Sequence, residues 1–169
     1  MVAAHASAPN YLFKKYADAV SAKEQNANYR ARIEGAKALA RLIAEQRLAH
    51  VVVPGKHLHE LPGSFRSGGQ PTYVLVVERM DIVGKKASED RFKDIPEPVL
   101  RELLRVLVRY KGLDSNSKNV QFTRGGQIAF VDLENWARAD RDRVRLKSIG
   151  EYLSKDRYKL ARKILGDLE

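Results

Sequence analysis

Two short β-prone runs, Asn119 to Thr123 and Gln127 to Val131, flank Gly125-Gly126, and this arrangement constrains the chain more than any other feature. Glycine adopts positive φ without strain, so a Gly-Gly pair between such runs predicts a β-hairpin with a two-residue turn. With the turn centred there, residues whose numbers sum to the same value oppose each other, which sets Asn119 at the entry against Asp132 at the exit. Opposed side chains lie about 5 Å apart at Cβ. An amide oxygen and a carboxylate at that separation, with Asp114 in the loop before them, are hard oxygen ligands of the kind Mg²⁺ takes together with phosphate and water. The hairpin reads as a metal clip.

The remaining sequence narrows the setting. A chain of 169 residues is long enough for one domain with a core of its own. There are no cysteines, so disulfides and thiolate metal sites are excluded and a cytoplasmic setting is expected. No apolar run approaches the roughly 20 residues that span a bilayer, so no membrane partner is expected. The opening MVAAHASAPN has neither the basic start nor the apolar middle of an export signal and is expected to fray. Thirty-one basic residues against twenty-one acidic ones give a charge of +10, which favours anionic partners: a nucleotide, nucleic acid or an acidic protein surface.

Along the chain, Tyr11 to Tyr16 is a β-prone hexapeptide carrying Lys14 and Lys15. Ser21 to Glu24 has the form of a capping box, and a helix is expected from about Asn28 to Leu48, with Ile33, Ala36, Leu39, Ala40, Leu42 and Ile43 as its buried stripe. Glu34 sits near its N-terminal end, where the helix dipole favours a carboxylate. His50 to Pro54 and Tyr73 to Met80 read as buried strands, the first ending at a proline that cannot donate to a ladder. Asp94-Ile-Pro96-Glu-Pro98 starts a second helix whose apolar face runs from Leu100 to Tyr110 and which Gly112 stops. The segment from Arg138 alternates charge and then becomes helical, with Arg157, Lys159, Arg162 and Lys163 as a basic surface. Two further patterns lead nowhere. His57, His59 and Glu60 lack a completing metal-ligand pattern, and Gly63 to Gly69 lacks the lysine and hydroxyl residue of a phosphate loop.

The order Asp114, Asn119, Asp132 resembles the catalytic loop Asp-x-x-x-x-Asn and the following metal-binding Asp of the protein-kinase-like superfamily, which includes small-molecule kinases of the aminoglycoside phosphotransferase type. The resemblance extends to the order strand, helix, two strands, hinge, helix, loop, hairpin. It implies an α+β fold, a reduced two-lobed kinase-like domain with a small mixed sheet and a helix over residues 1–80, and a mainly helical part carrying the hairpin over residues 81–169. It implies ATP and Mg²⁺ as cofactors. Asn119 and Asp132 would hold the metal, Lys14 (or Lys15) would contact phosphates and be held by Glu34, and Glu78 to Met80 would form the hinge beside the adenine. Lys118 would meet the transferred phosphate, and Asp114 would orient an acceptor hydroxyl and take its proton.

The sequence departs from that pattern in several places. Gly35 is the only glycine before Gly55, so no glycine-rich loop precedes Lys14. Gly112-Leu113 stands before Asp114 where His-Arg is usual, and Glu134 follows where a glycine is usual. The stretch after Asp132 is expected to be too short for an activation segment and a peptide-binding lobe. The reading is therefore an ATP/Mg-binding phosphotransferase to a hydroxyl acceptor, or a nucleotide-binding pseudokinase, with a protein partner completing the lid. The alternative is a non-catalytic module that binds nucleic acid or an acidic protein through its basic surface.

Overall fold

The computed structural model describes residues 2–15, 21–63, 72–133, 136–137 and 146–168. Tyr16, the Gly68-Gly69 pair, Glu134 and the alternating charges from Arg138 to Arg145 lie outside them. The described residues form an α+β structure of two small sheets and five helices. None of these helices is long and apolar enough to cross a membrane.

The first sheet is antiparallel throughout, in the order β1 (Val2–His5), β2 (Ala8–Lys14), β5 (Tyr73–Glu78), β4 (Lys56–Glu60). β5 takes the centre because Leu75, Val76 and Val77 supply apolar side chains to both faces, and all three are buried. The expectation of a frayed start is corrected. Val2 to His5 pairs with β2, so its backbone groups are satisfied in a ladder although every side chain of the strand is exposed. The strand expected at His50 to Pro54 is also shorter than its composition suggests. Only Val51–Val52 (β3) is extended, and it joins the other sheet.

Between β2 and β3 runs α1 (Ala22–Gln46), six residues earlier at its start than the apolar stripe indicates. The capping box sets that start: Ser21 Oγ accepts a hydrogen bond from the Glu24 backbone at 3.2 Å. Its end is a left-handed Arg47, φ 51°, whose N–H returns to the Ala44 carbonyl while Leu48 N–H reaches Ile43. α1 bridges two cores. Tyr29 packs with Leu75 and Val77 beneath the first sheet. Ala36, Leu39 and Leu42 pack in a larger cluster with α3 (Glu97–Arg109), the hairpin and α5 (Lys155–Leu168). Ala40, expected in the stripe, is exposed.

α2 (Lys85–Phe92), absent from the sequence reading, precedes α3. It docks on the hairpin through the fully buried Ser88, whose Oγ accepts the Phe122 N–H at 2.9 Å. α3 starts after Pro96, not at the Asp94 cap. Val99, Leu100, Leu103, Leu104, Val106 and Leu107 all bury on its inner face. Glu102 on α3 receives the backbone N–H groups of Ala49 (3.2 Å) and His50 (2.7 Å), which pins the chain entering β3. α4 (Lys147–Gly150) leads into α5.

The second sheet, in the order β3, β7 (Ile128–Phe130), β6 (Val120–Phe122), contains the hairpin. Its register corrects the expectation. Val120 faces Phe130 and Phe122 faces Ile128, so paired numbers sum to 250 and not to the 251 that a Gly125-Gly126 turn would give. The loop is three residues long. Gly126 N–H donates to the Thr123 carbonyl at 3.1 Å, Thr123 N–H donates to Gln127 at 2.8 Å, and Gly126 alone is left-handed, φ 86°. A turn followed by one left-handed glycine is the usual three-residue solution, and one extra loop residue shifts the pairing by one.

Candidate functional site

The register shift has a direct consequence for the metal clip. Asn119 now stands opposite Val131, whose N–H donates to the Asn119 carbonyl at 2.9 Å, and Asp132 lies one residue further along. The expected direct opposition of Asn119 and Asp132 is therefore corrected. What surrounds Asp132 is a set of cations.

Lys14 lies in one row across the first sheet with Leu75 and Leu58, and Lys56 lies in a parallel row with Val77 and Leu12. Side chains alternate along a strand, so both lysines share the face of Leu75 and Val77, which is the face packed on α1. From α1 comes Arg32, on the inward side because Tyr29 and Ala36, three residues before and four after it, are both buried. Its Nε lies 3.0 Å from Asp132 Oδ1, with side-chain exposures of 12% and 25%. Lys56 Nζ donates to the Val131 carbonyl at 3.1 Å. Three cations thus gather around one carboxylate, drawn from β2, α1, β4 and the exit of β7.

The electrostatics of these four groups are coupled. Burial holds the Lys14 ammonium below its ordinary pKa, with Asp132 opposing and Arg32 reinforcing the shift. Burial pushes Lys56 down to about 8, Asp132 again opposing while Lys14 and Arg32 add repulsion. For Asp132, burial works to raise the carboxyl. The charge and hydrogen bond of Arg32, then Lys14 and Lys56, outweigh it and hold the group below the usual carboxylate range.

Glu34, the expected holder of Lys14, faces away. Its side chain is 53% exposed and pairs with Lys37 at 3.0 Å. The helical period explains this: Glu34 lies off the Tyr29, Arg32, Ala36 face, and Arg32 occupies the position turned toward the lysines. Lys15 is partly buried and is not free of partners. Asp114 and its loop are organised by Asn116. The Asn116 backbone donates to Asp114 Oδ1 at 3.3 Å and its Nδ2 to Oδ2 at 2.6 Å, while its Oδ1 accepts the N–H groups of Lys118 and Asn119. Lys118 itself is exposed. At the end of β5, the Glu78 carboxylate accepts the Gly55 N–H at 3.0 Å, and the Met80 carbonyl accepts Ile82 N–H.

An open cleft of about 710 Å³ lies by Glu78 and Arg79, lined also by Asn10, Tyr11, Gly55, Lys56 and His57. Tyr11, His57 and Glu78 alternate onto the sheet face opposite Lys14, so the cleft touches the cluster only at Lys56 and contains neither Lys14 nor Asp132.

No family model matches the chain, and no curated protein matches it.

The donor set decides what can be held here. A resident Mg²⁺ needs oxygen donors whose charge is free to meet it. Asp132 is ion-paired to Arg32 in the field of two ammonium groups, each Asp114 oxygen accepts a hydrogen bond from Asn116, and among the described residues no three His, Asp or Glu side chains gather to share a metal. These residues do not fit a resident divalent cation. They fit an anion with several oxygens, which ammonium and guanidinium groups recognise by charge-assisted hydrogen bonds. Sequence reasoning missed Arg32 and Lys56. Arg32 could have been found from the helical stripe, since it stands four residues before Ala36 and seven before Leu39. Lys56 carries no such signal.

Proposed function

We propose that this chain is a nucleotide-binding protein of the protein-kinase-like kind, in which Lys14, Lys56 and Arg32 receive the phosphates. The observation that carries the reading is that Lys56, from the first sheet, reaches the Val131 carbonyl beside Asp132 at the hairpin exit, at 3.1 Å, with Lys14 in the field of the same carboxylate. Between the strand of Lys14 and the hairpin the chain runs through a long helix, three strands and two helices, where the resemblance implies a helix, two strands and one helix. The arrangement of Asp114 and Asp132 favours the non-transferring form of this function over a phosphotransferase. Asp114 is held within its own loop by Asn116, and no contact shown among the described residues joins it to the cluster of Lys14, Arg32, Lys56 and Asp132, where a base would have to meet the acceptor hydroxyl.

The test is a thermal-shift titration with ATP. A ligand that binds only the folded state stabilises it by RT ln(1 + [L]/Kd), about 2.7 kcal/mol at a hundredfold excess over Kd. ATP should raise the melting temperature of the native chain and leave Lys14→Ala unchanged. An RNA oligonucleotide that stabilises both proteins alike, with ATP stabilising neither, would replace this reading with the nucleic-acid module.

A further inference from the structure

We infer that the outer face of α5 is a docking surface for single-stranded nucleic acid, with Lys155, Lys159 and Arg162 receiving backbone phosphates and Tyr158 stacking on a base beside them. The surface goes beyond the nucleotide site, since Lys14, Arg32, Lys56 and Asp132 all lie on other elements. α5 turns Ala161, Ile164 and Leu165 into the main core. At about 100° per residue, Lys155, Lys159, Arg162 and Gly166 then share one outward sector about 60° wide, with Tyr158 along one side and Lys163 along the other. All six are exposed. Asp156 and Asp167 lie beyond Lys163, off the strip. No carboxylate among the described residues pairs with any of these four cations, whereas Lys85, Lys86 and Arg101 on α2 and α3 each meet an acid one turn away on their own helix.

From Lys155 to Lys163 the strip is about 12 Å long, and its charges recur at intervals of about 4.5 to 6 Å. Nucleic acid is the polyanion that presents charge at short regular intervals along a line, and cations without partners of their own bind it by releasing its counterions. An anionic membrane would need apolar side chains beside these cations to insert. Ala161, Ile164 and Leu165 are buried in the core instead. Tyr158 decides for a single strand. It is 40% exposed, one of three large side chains of apolar or aromatic type so exposed among the described residues. Its ring rests against Gly150, where a Cβ would stand 2.8 Å from Tyr158 Cε2. A ring braced by backbone and still open to solvent, at the edge of a basic strip, is a platform for an unpaired base. The bases of a duplex are already stacked on one another and gain nothing from it. The first turn of the helix is tied down as well, because Ser154 N–H donates to the Lys93 carbonyl at 3.1 Å.

The experiment is fluorescence anisotropy on the full chain with a fluorescein-labelled oligouridylate of about 12 nucleotides, over salt concentrations from about 50 to 200 mM. The native chain should bind it, and more weakly as salt rises. Lys159→Gln combined with Arg162→Gln should take about 1.4 off the slope of log K against log salt. Tyr158→Ala should bind about tenfold more weakly, and Tyr158→Phe, which keeps the ring, should restore the affinity. Lys23→Gln combined with Lys37→Gln removes two exposed cations from α1 and should match the native chain. Equal losses in the two double variants would show that net charge alone governs binding, and would overturn the inference. It is overturned equally by native affinity in Tyr158→Ala, by a duplex of the same length held more tightly than the single strand, or by phosphatidylglycerol vesicles binding where the RNA does not.

Discussion

Lys56→Met tests the electrostatics of the cluster without any ligand. In the folded chain the Lys56 ammonium is held at a pKa of about 8 against an ordinary 10.5, mainly by burial, with Lys14 and Arg32 adding repulsion. Each pKa unit is worth about 1.4 kcal/mol, so the charged form costs the native state about 3 kcal/mol, and about half of that once screening at the partly exposed rim is allowed for. Since the folded state binds this proton less tightly than the unfolded chain, unfolding takes a proton up between pH 8 and 10.5, and native stability rises with pH across that window. Lys56→Met should be the more stable protein at pH 7, by about 1.5 kcal/mol, and its advantage should shrink to nothing by pH 10.5. Burial also lowers the pKa of Lys14, so the native chain alone would show a mixed profile; the difference between the two proteins reports Lys56 together with its repulsion of Lys14. Urea denaturation at a series of pH values reads this directly. A variant less stable than the native chain at pH 7, or a gap independent of pH, refutes the reasoning.

Three other substitutions probe how the cluster is held. A Cβ on Gly35 would stand 2.7 Å from Trp136 Cδ1 and 2.8 Å from the Leu133 carbonyl oxygen, so Gly35→Ala should lose about 2 kcal/mol in urea melts despite alanine's better helix propensity, and an equally stable variant would show that the contact yields. Ser88→Ala strands the buried Phe122 N–H and should cost about 1–3 kcal/mol, with faster amide exchange in β6; protection equal to the native chain counts against the bond. Gln121→Leu removes a buried Oε1 that has no partner among the described residues while giving up one bond to the Lys118 carbonyl, and should gain about 1 kcal/mol, whereas a lowered denaturation midpoint would mean that the amide is satisfied in solution.

The helices are largely legible in the sequence because their signals are local. Ser21 caps through Glu24 as its capping box requires, and the Leu100, Leu103, Leu104, Leu107 spacing buries as read. α2 escapes notice because KKASEDRF presents only Phe92 as a large apolar anchor, and its buried contact is a serine. The hairpin's existence is legible but its register is not: Gly125-Gly126 signals a turn, and whether two residues or three form the loop depends on which glycine is left-handed. At the site, Lys14 and Asp132 follow from the resemblance and do come into each other's field. Arg32 and Lys56 are set by tertiary geometry, the first by the rotation of α1 on the sheet and the second by the alternation of β4. An ion pair joining positions 32 and 132 leaves no pattern in a window of any usual width.

The parallel pairing of β3 with β7 also bears on how the chain is made. Val51 and Val52 have no partner in the sheet built from the residues around them, and their ladder forms with Ile128 and Ala129. The Gln127 side chain closes on the Ala49 carbonyl across 78 positions. A ribosome must therefore extrude most of the polypeptide before this strip of valines finds its mate. Fragments ending ahead of the hairpin would leave the strip bare and prone to clumping, and longer fragments would recover solubility abruptly once Phe130 is included.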